Sequence, residues 1–176
     1  MSQQRSEVEA FAFTRRQLVL AWCEAGHKGV EASMRIADVL RNKGAAVATI
    51  SPDTRVTELL AGMAQHNIGA MVVMGPDGLV GIVSERDVVR RLNERGADLL
   101  QMPVSEIMTS VVVTCAPGDA IDTLSRLMTE NRVRHVPVIA DGELAGIVSI
   151  GDVVKTRMEE LKAEQEQLQT YITQGG

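Results

Sequence analysis

Aromatic side chains are nearly missing from this sequence. Phe11, Phe13, Trp22 and Tyr171 are the whole complement, and none lies between Glu24 and Thr170. A core built from that stretch must be filled by aliphatic and methionine side chains, and a flat ligand bound there must be held without aromatic stacking. Cysteine is as scarce. Cys23 and Cys115 stand far apart, which fits a reducing, cytoplasmic setting better than a disulfide framework. No apolar run is long enough to span a bilayer, so no membrane partner is expected. The most apolar stretch near the start, Leu18 to Trp22, is brief and follows Glu7 and Glu9, unlike an ordinary signal peptide. Nor is there a block of one charge. The 18 Lys and Arg are scattered against 23 Asp and Glu for a net charge of −5, which leaves no footprint for a nucleic-acid backbone. His27 and His66 belong to no cluster of His, Cys and Asp that could supply a full ligand set, so no metal site is expected.

What is present is the composition of a soluble globular chain. Its 176 residues, 45% hydrophobic and 23% charged, suffice for one substantial core. One compact domain is the first expectation. Residues 1–33, which hold three of the four aromatics, look foreign to the rest. They read either as an extension with a helix near Arg15 to Ala25 docked on the body, or as a disordered leader ahead of a start at Met34.

Self-comparison reveals a repeat. Gly81-Ile82-Val83-Ser84 recurs as Gly146-Ile147-Val148-Ser149, and Asp87-Val88-Val89 recurs as Asp152-Val153-Val154, both 65 positions on. The same offset joins Thr49 to Thr114, Pro52 to Pro117, Leu59 to Leu124, Met63 to Met128 and Val73 to Val138. Only the lead-in slips. Ile36 to Leu40 matches Val104 to Met108 at an offset of 68, so the first lead-in carries three extra residues near Asn42 to Ala46.

Each copy has the same local pattern. Val56, Leu59, Leu60 and Met63 follow helical spacing, as do Ile121, Leu124, Leu127 and Met128. Ala70 to Met74 and Val136 to Ile139 are apolar runs of strand length. Each is followed by a turn signal, Pro76-Asp77-Gly78 or Asp141-Gly142, and a second run that ends in Gly-Ile-Val-Ser. Ser84 and Ser149 then open helices. The unit is β-α-β-β-α, stated twice, in a mixed α/β (α+β) fold whose two halves are expected to pack with pseudo-two-fold symmetry. The expected divisions are 1–33, a first repeat at 34–100, a second at 101–156 and a C-terminal amphipathic helix at 157–176.

The duplicated Gly-Ile-Val-Ser-x-x-Asp element and the strand Arg134-His135-Val136-Pro137-Val138 resemble the cystathionine-β-synthase (CBS) domain family over about 34–156. Its members occur as tandem pairs forming a regulatory, Bateman-type module. The resemblance implies an adenine nucleotide as ligand: AMP, ADP, ATP, NAD(H) or S-adenosylmethionine, with no catalytic cofactor. It implies ribose hydroxyls on Asp87 and Asp152, and Ser84 and Ser149 facing phosphate. It places the base against Ile50, Ser51, Met71, Cys115, Ala116 and Val136, and brings Arg132, Arg134, His135 and Pro137 into the lining of the site.

The residues themselves leave a simpler alternative open. Ser followed three positions later by an acidic residue is a capping box, which needs no ligand. A helix start does offer unpaired amides and a positive dipole end to phosphate. The first start is richer in cations, with Arg86, Arg90 and Arg91 against Lys155 in the second, and an arginine can fork onto phosphate. For Arg91 a solvated surface role is the simpler reading. Ile50 and Met71 suit a core equally well.

From Val154 the apolar positions continue through Met158, Leu161, Leu168 and Ile172 in heptad-like steps. A homodimer with contacts from this helix is therefore expected. No nucleophile elbow, acid/base carboxylate pair with a supporting His, or metal cluster is visible, so an enzyme is not expected. The functional expectation is an adenine-nucleotide sensor, for energy or redox state, acting in trans on an effector protein the sequence does not identify. The alternative is a ligand-free dimerisation or interaction scaffold.

Overall fold

The structure, a computed structural model, describes residues 34–44 and 46–174. The readings of 1–33 as a docked helix or a leader, with Phe11, Phe13, Trp22 and Cys23, lie outside the described residues. In chain order the elements are α1 (Ile36–Lys43), β1 (Thr49–Ile50), α2 (Val56–His66), β2 (Ala70–Gly75), β3 (Gly78–Ser84), α3 (Glu85–Arg95), α4 (Ile121–Asn131), β4 (His135–Ala140), β5 (Glu143–Ser149) and α5 (Ile150–Gln174). Two 3₁₀ turns, Gly96–Gln101 and Val104–Glu106, follow α3.

The expectation of one compact domain is corrected: the chain forms two compact units. Residues 47–115 make one, and residues 34–46 together with 116–174 make the other. In the first unit, β1 runs parallel to β2, and β2 pairs antiparallel with β3. In the second, β4 and β5 form an antiparallel hairpin. The registers match. Ala70 faces Ser84 and His135 faces Ser149, and both ladders are irregular after the same position, Val73 in one and Val138 in the other. Asp141 and Gly142 take φ of 51° and 85°, the two positive values that close a two-residue hairpin with the right twist.

Helical spacing translates directly into buried faces. On α2, Val56, Leu59 and Met63 are buried, and on α4 the same holds for Ile121, Leu124, Leu127 and Met128. In the first unit Val56, Leu59 and Met63 pack in one cluster with Met71, Val73, Val83, Val88 and Leu99. Each such aliphatic side chain contributes roughly 1.5–3 kcal/mol when fully buried. Both helices end on a left-handed residue, Asn67 and Arg132.

The lead-ins are where sequence order and unit membership part. The first lead-in belongs to the unit of the second repeat: the amides of Ile36 and Ala37 donate to the carbonyls of Asp119 and Pro117, and the Ile121 amide donates to Met34. The second lead-in belongs to the unit of the first repeat. There the amides of Val104 and Ser105 donate to Thr54 and Pro52, and the Val56 amide donates to Met102. The two sets are the same three hydrogen bonds, related by the offsets of 65 and 68. Val104 and Ile107 accordingly join the core cluster of the first unit.

This arrangement explains the glycine of each Gly-Ile-Val-Ser. A Cβ on Gly81 would stand 2.7 Å from Met108 Sδ and 3.1 Å from the Thr109 carbonyl oxygen. On Gly146 it would stand 2.6 Å from Leu40 Cδ2. Glycine is used so that a lead-in can lie flat on the strand.

The final helix is continuous from Ile150, so the C-terminal segment extends the last helix of the second repeat. Val153 and Thr156 are buried, whereas Ile150, Val154, Met158 and Leu161 are exposed along another stripe. The side chains of Leu168 and Ile172, at the far end of the heptad pattern, lie outside the described residues. On α3, Val88 is buried, but Val89 and Leu92 are exposed. Among the described residues, no helix is long and apolar enough to cross a membrane, and no three His, Cys, Asp or Glu side chains group as metal ligands.

Candidate functional site

The two Ser-x-x-Asp elements occupy equivalent places. Each Ser ends the second strand of a hairpin and stands opposite the first residue of the strand before it, Ala70 or His135. The helix begins at once. Its first amide is already satisfied, by the Gly69 carbonyl for Glu85 and by the Arg134 carbonyl for Ile150.

Both elements are capping boxes. In the first unit Asp87 Oδ2 accepts from the Ser84 amide at 2.8 Å and from the Ser84 hydroxyl at 2.6 Å. In the second, Asp152 Oδ2 accepts from the Ser149 amide at 2.7 Å and hydroxyl at 2.8 Å, while the Asp152 amide donates back to Ser149 Oγ at 3.2 Å. The simpler of the two sequence readings is therefore realised. It does not use up the carboxylates: the cap bonds from Ser84 and Ser149 all go to Oδ2. A carboxylate has acceptor sites on both oxygens, and both side chains remain half-buried at the unit surface.

The second site holds one residue that the sequence reading missed. Lys43, the last residue of α1, places Nζ 2.6 Å from Asp152 Oδ2 and 3.3 Å from the Ile147 carbonyl oxygen. Burial of Asp152 pushes its pKa up. The hydrogen bond from Lys43, those from the Ser149 amide and hydroxyl, and the charge of Lys43 together more than offset this, holding Asp152 below the ordinary carboxylate value. Asp87 takes part in no ion pair among the described residues. The signal for Lys43 lay in the three extra residues of the first lead-in, since a longer α1 end is what brings its ammonium over Asp152.

The other sequence candidates fall into groups. Arg86 and Arg90 are exposed on the first turns of α3, whereas Arg91 pairs with Glu94 at 2.8 Å, the surface role expected for it. Arg134 is exposed and His135 half-buried at the start of β4, next to Ser149 and Asp152. Arg132 is exposed at the C-cap of α4 with φ 55°. Met71, Cys115, Val136 and Pro137 are buried, and Met71 belongs to the core cluster. Ile50 faces Val73, three residues along β2 from Ala70, so β1 lies away from the Ser84 end of its sheet. Ser51 is exposed, and its hydroxyl accepts from the Asp53 amide at 3.4 Å in the turn after β1.

Comparison with known proteins gives the same outline. The chain is 38% identical over 153 residues to a mitochondrial CBS domain-containing protein of Arabidopsis thaliana, covering 82% of this chain and 74% of that one. It is similar to the crystal structure of a CBS-domain containing protein from Agrobacterium tumefaciens, with 43% identity and a TM-score of 0.69 over 75% of this chain and 99% of that one. It is similar also to a CBS domain protein from Pyrobaculum aerophilum solved in complex with AMP, with 27% identity and a TM-score of 0.60 over 68% of this chain and 89% of that one. The family model for the CBS domain matches twice, at residues 36–94 and 104–159, in the register of the 65-residue repeat. With both copies matched, each from its lead-in to the helix after Gly-Ile-Val-Ser, the chain belongs to the CBS-domain family.

Proposed function

We propose that this chain is a regulatory module that binds an adenine nucleotide at the starts of α3 and α5 and passes its state to a partner protein. Asp87 and Asp152 would take ribose hydroxyls through the oxygens that the caps leave uncommitted, and Ser84 and Ser149 would face the phosphate. The observation that carries this reading is the duplicated helix start, in which the cap uses one carboxylate oxygen and the helix end supplies the positive dipole a phosphate favours. The AMP complex of the Pyrobaculum protein supports the ligand class. Among AMP, ADP, ATP, NAD(H) and S-adenosylmethionine, a ligand with a phosphate suits a helix start best. The buried thiol of Cys115 suits a reducing compartment such as the cytoplasm. Calorimetric titration with AMP, ATP, NAD and S-adenosylmethionine, with GMP as control, tests the reading. Binding of an adenine ligand in preference to GMP is expected, and silence with all of them at millimolar concentration would leave only a scaffold.

The scaffold reading draws on a specific feature, the exposed apolar stripe of Ile150, Val154, Met158 and Leu161 on α5. We take its occupant to be a second copy of the chain. The stripe is flanked by Lys155, Glu159 and Lys162, so an antiparallel two-fold pairing can set lysine against glutamate while it covers the apolar residues. Dimerisation and nucleotide binding are compatible functions of the one module.

A further inference from the structure

The two helix starts differ in one respect that bears on what each can bind. At Asp152 an ammonium group already occupies the carboxylate, and the side chains that hold it are only partly exposed, 36% for Lys43 and 20% for Asp152. Nothing equivalent can come from the lead-in of the other unit, because Val104 to Cys115 contains neither lysine nor arginine. Lys43 donates to just two acceptors among the described residues, Asp152 and the Ile147 carbonyl. It sits at the very end of α1, ahead of Gly44 at φ 91°, on a four-carbon stem that can swing without disturbing the helix.

We propose that Lys43 makes the site at Ser149 and Asp152 selective for ligands that carry a phosphate. The inference rests on the reading of that helix start as a nucleotide site. A ribose diol gains the Asp152 carboxylate only by drawing Nζ away from it. A 5′-phosphate directed at the helix start gives the displaced ammonium a new anion within reach, so the charged hydrogen bond is exchanged rather than lost. An uncharged nucleoside offers no replacement and must compete with Lys43 outright. The site at Ser84 and Asp87, whose lead-in offers no lysine or arginine, is the more permissive of the two.

The test is a two-dimensional NMR titration of the full chain with AMP and with adenosine, reading the Ser149 and Gly151 amides for this site and the Ser84 and Arg86 amides for the other. Three proteins are compared: the parent, Lys43→Met, which keeps the stem without the charge, and Lys43→Arg, which keeps the charge. In the Met variant adenosine should bind the second site about three- to tenfold more tightly while AMP gains less or weakens, so the AMP preference falls roughly tenfold. The Arg variant should hold the parent's preference, and the first site should be indifferent to either substitution. An unchanged AMP-to-adenosine ratio at Ser149 in the Met variant would overturn the role of Lys43 while leaving the nucleotide site intact. Absence of any shift at Ser149 and Gly151 with either ligand, in parent and Met variant alike, would overturn the site reading itself and the selectivity with it.

Discussion

Leu40 lies so close to Gly146 that a Cβ added there would stand 2.6 Å from Leu40 Cδ2, 3.0 Å from Cδ1 and 3.4 Å from Cγ. The whole fork of the leucine is in the way, and Leu40 is itself buried, so it has little room to retreat. Gly146→Ala should therefore cost about 1–3 kcal/mol of stability, the usual range for overpacking. Leu40→Ala alone should also destabilise, through the apolar area lost. In the double variant the two losses should sum to less than their separate values, since each removes the other's obstacle. Urea denaturation of the four proteins measures this, and simple additivity would contradict the contact.

The exchanged lead-ins make a prediction about where damage appears. Ile36 precedes the first repeat in the chain but is fully buried and bonded through its amide to Asp119. Ile36→Ala should cost roughly 2–4 kcal/mol and should speed hydrogen exchange in α4, β4 and β5 rather than in β2 and β3. Val104→Ala should do the reverse, loosening the unit of residues 47–115. Hydrogen exchange read by mass spectrometry distinguishes the two patterns. Loss of protection in the repeat that follows each lead-in would contradict the unit boundaries.

The repeat, its strands and the caps were legible because each is a local pattern. Hydrophobic spacing marks α2 and α4, Asp141-Gly142 marks a hairpin turn, and Ser-x-x-Asp marks a helix start. The partner of each lead-in was not legible, because it is chosen by backbone hydrogen bonds between residues far apart in the chain, such as Ile36 with Asp119 and Val104 with Thr54, that leave no side-chain signature. The base-contact candidates divided for a related reason. Met71 and Val136 are apolar residues on strands, and apolar residues of a core and of a ligand pocket look alike in a sequence. The polar pair of Ser149 and Asp152 was found, but Lys43 was not, since nothing local ties a lysine at the end of α1 to an aspartate 109 residues later.

Asp152 should titrate abnormally. Its pKa in the folded chain lies below the reference value of 3.8, so it contributes stability above that value, and the contribution is lost as pH falls through the lower, folded pKa. Lys43→Met removes a hydrogen bond and a charge that hold the pKa down. In that variant the carboxylate should titrate at higher pH, and the share of acid destabilisation that comes from Asp152 should shrink, because its folded and unfolded pKa values draw together. Carbon-detected NMR of the Asp152 carboxyl measures both values, and an identical titration in the two proteins would contradict the ion pair.

The exposed stripe on α5 predicts a homodimer that depends on it. Met158 is 54% exposed and Leu161 57% exposed in the single chain, so charges placed there should not unfold the unit. Met158→Glu with Leu161→Glu should shift sedimentation at tens of micromolar from dimer toward monomer, with a melting temperature close to the parent's when both are compared as monomers. A parent that sediments as a monomer would contradict the pairing.

The central claim is that the Ser-x-x-Asp helix starts bind ligand as well as cap helices, and Asp87→Asn tests it most directly. Asparagine keeps a hydrogen-bonding side chain at the third helical position, so the cap alone predicts a loss of stability within about 1 kcal/mol and no effect on ligand. A carboxylate that also holds ribose hydroxyls loses a charged hydrogen bond worth roughly 1.5–3 kcal/mol, which is about ten- to a hundredfold in affinity. The measurement is calorimetric titration of AMP into parent and Asp87→Asn protein, with binding to the first site identified by the Ser84 amide shift. The account predicts that AMP binding at that site weakens at least about tenfold while the fold is kept. Equal affinity in the two proteins, with only a slightly earlier melt for the variant, would show that the helix starts are caps and nothing more.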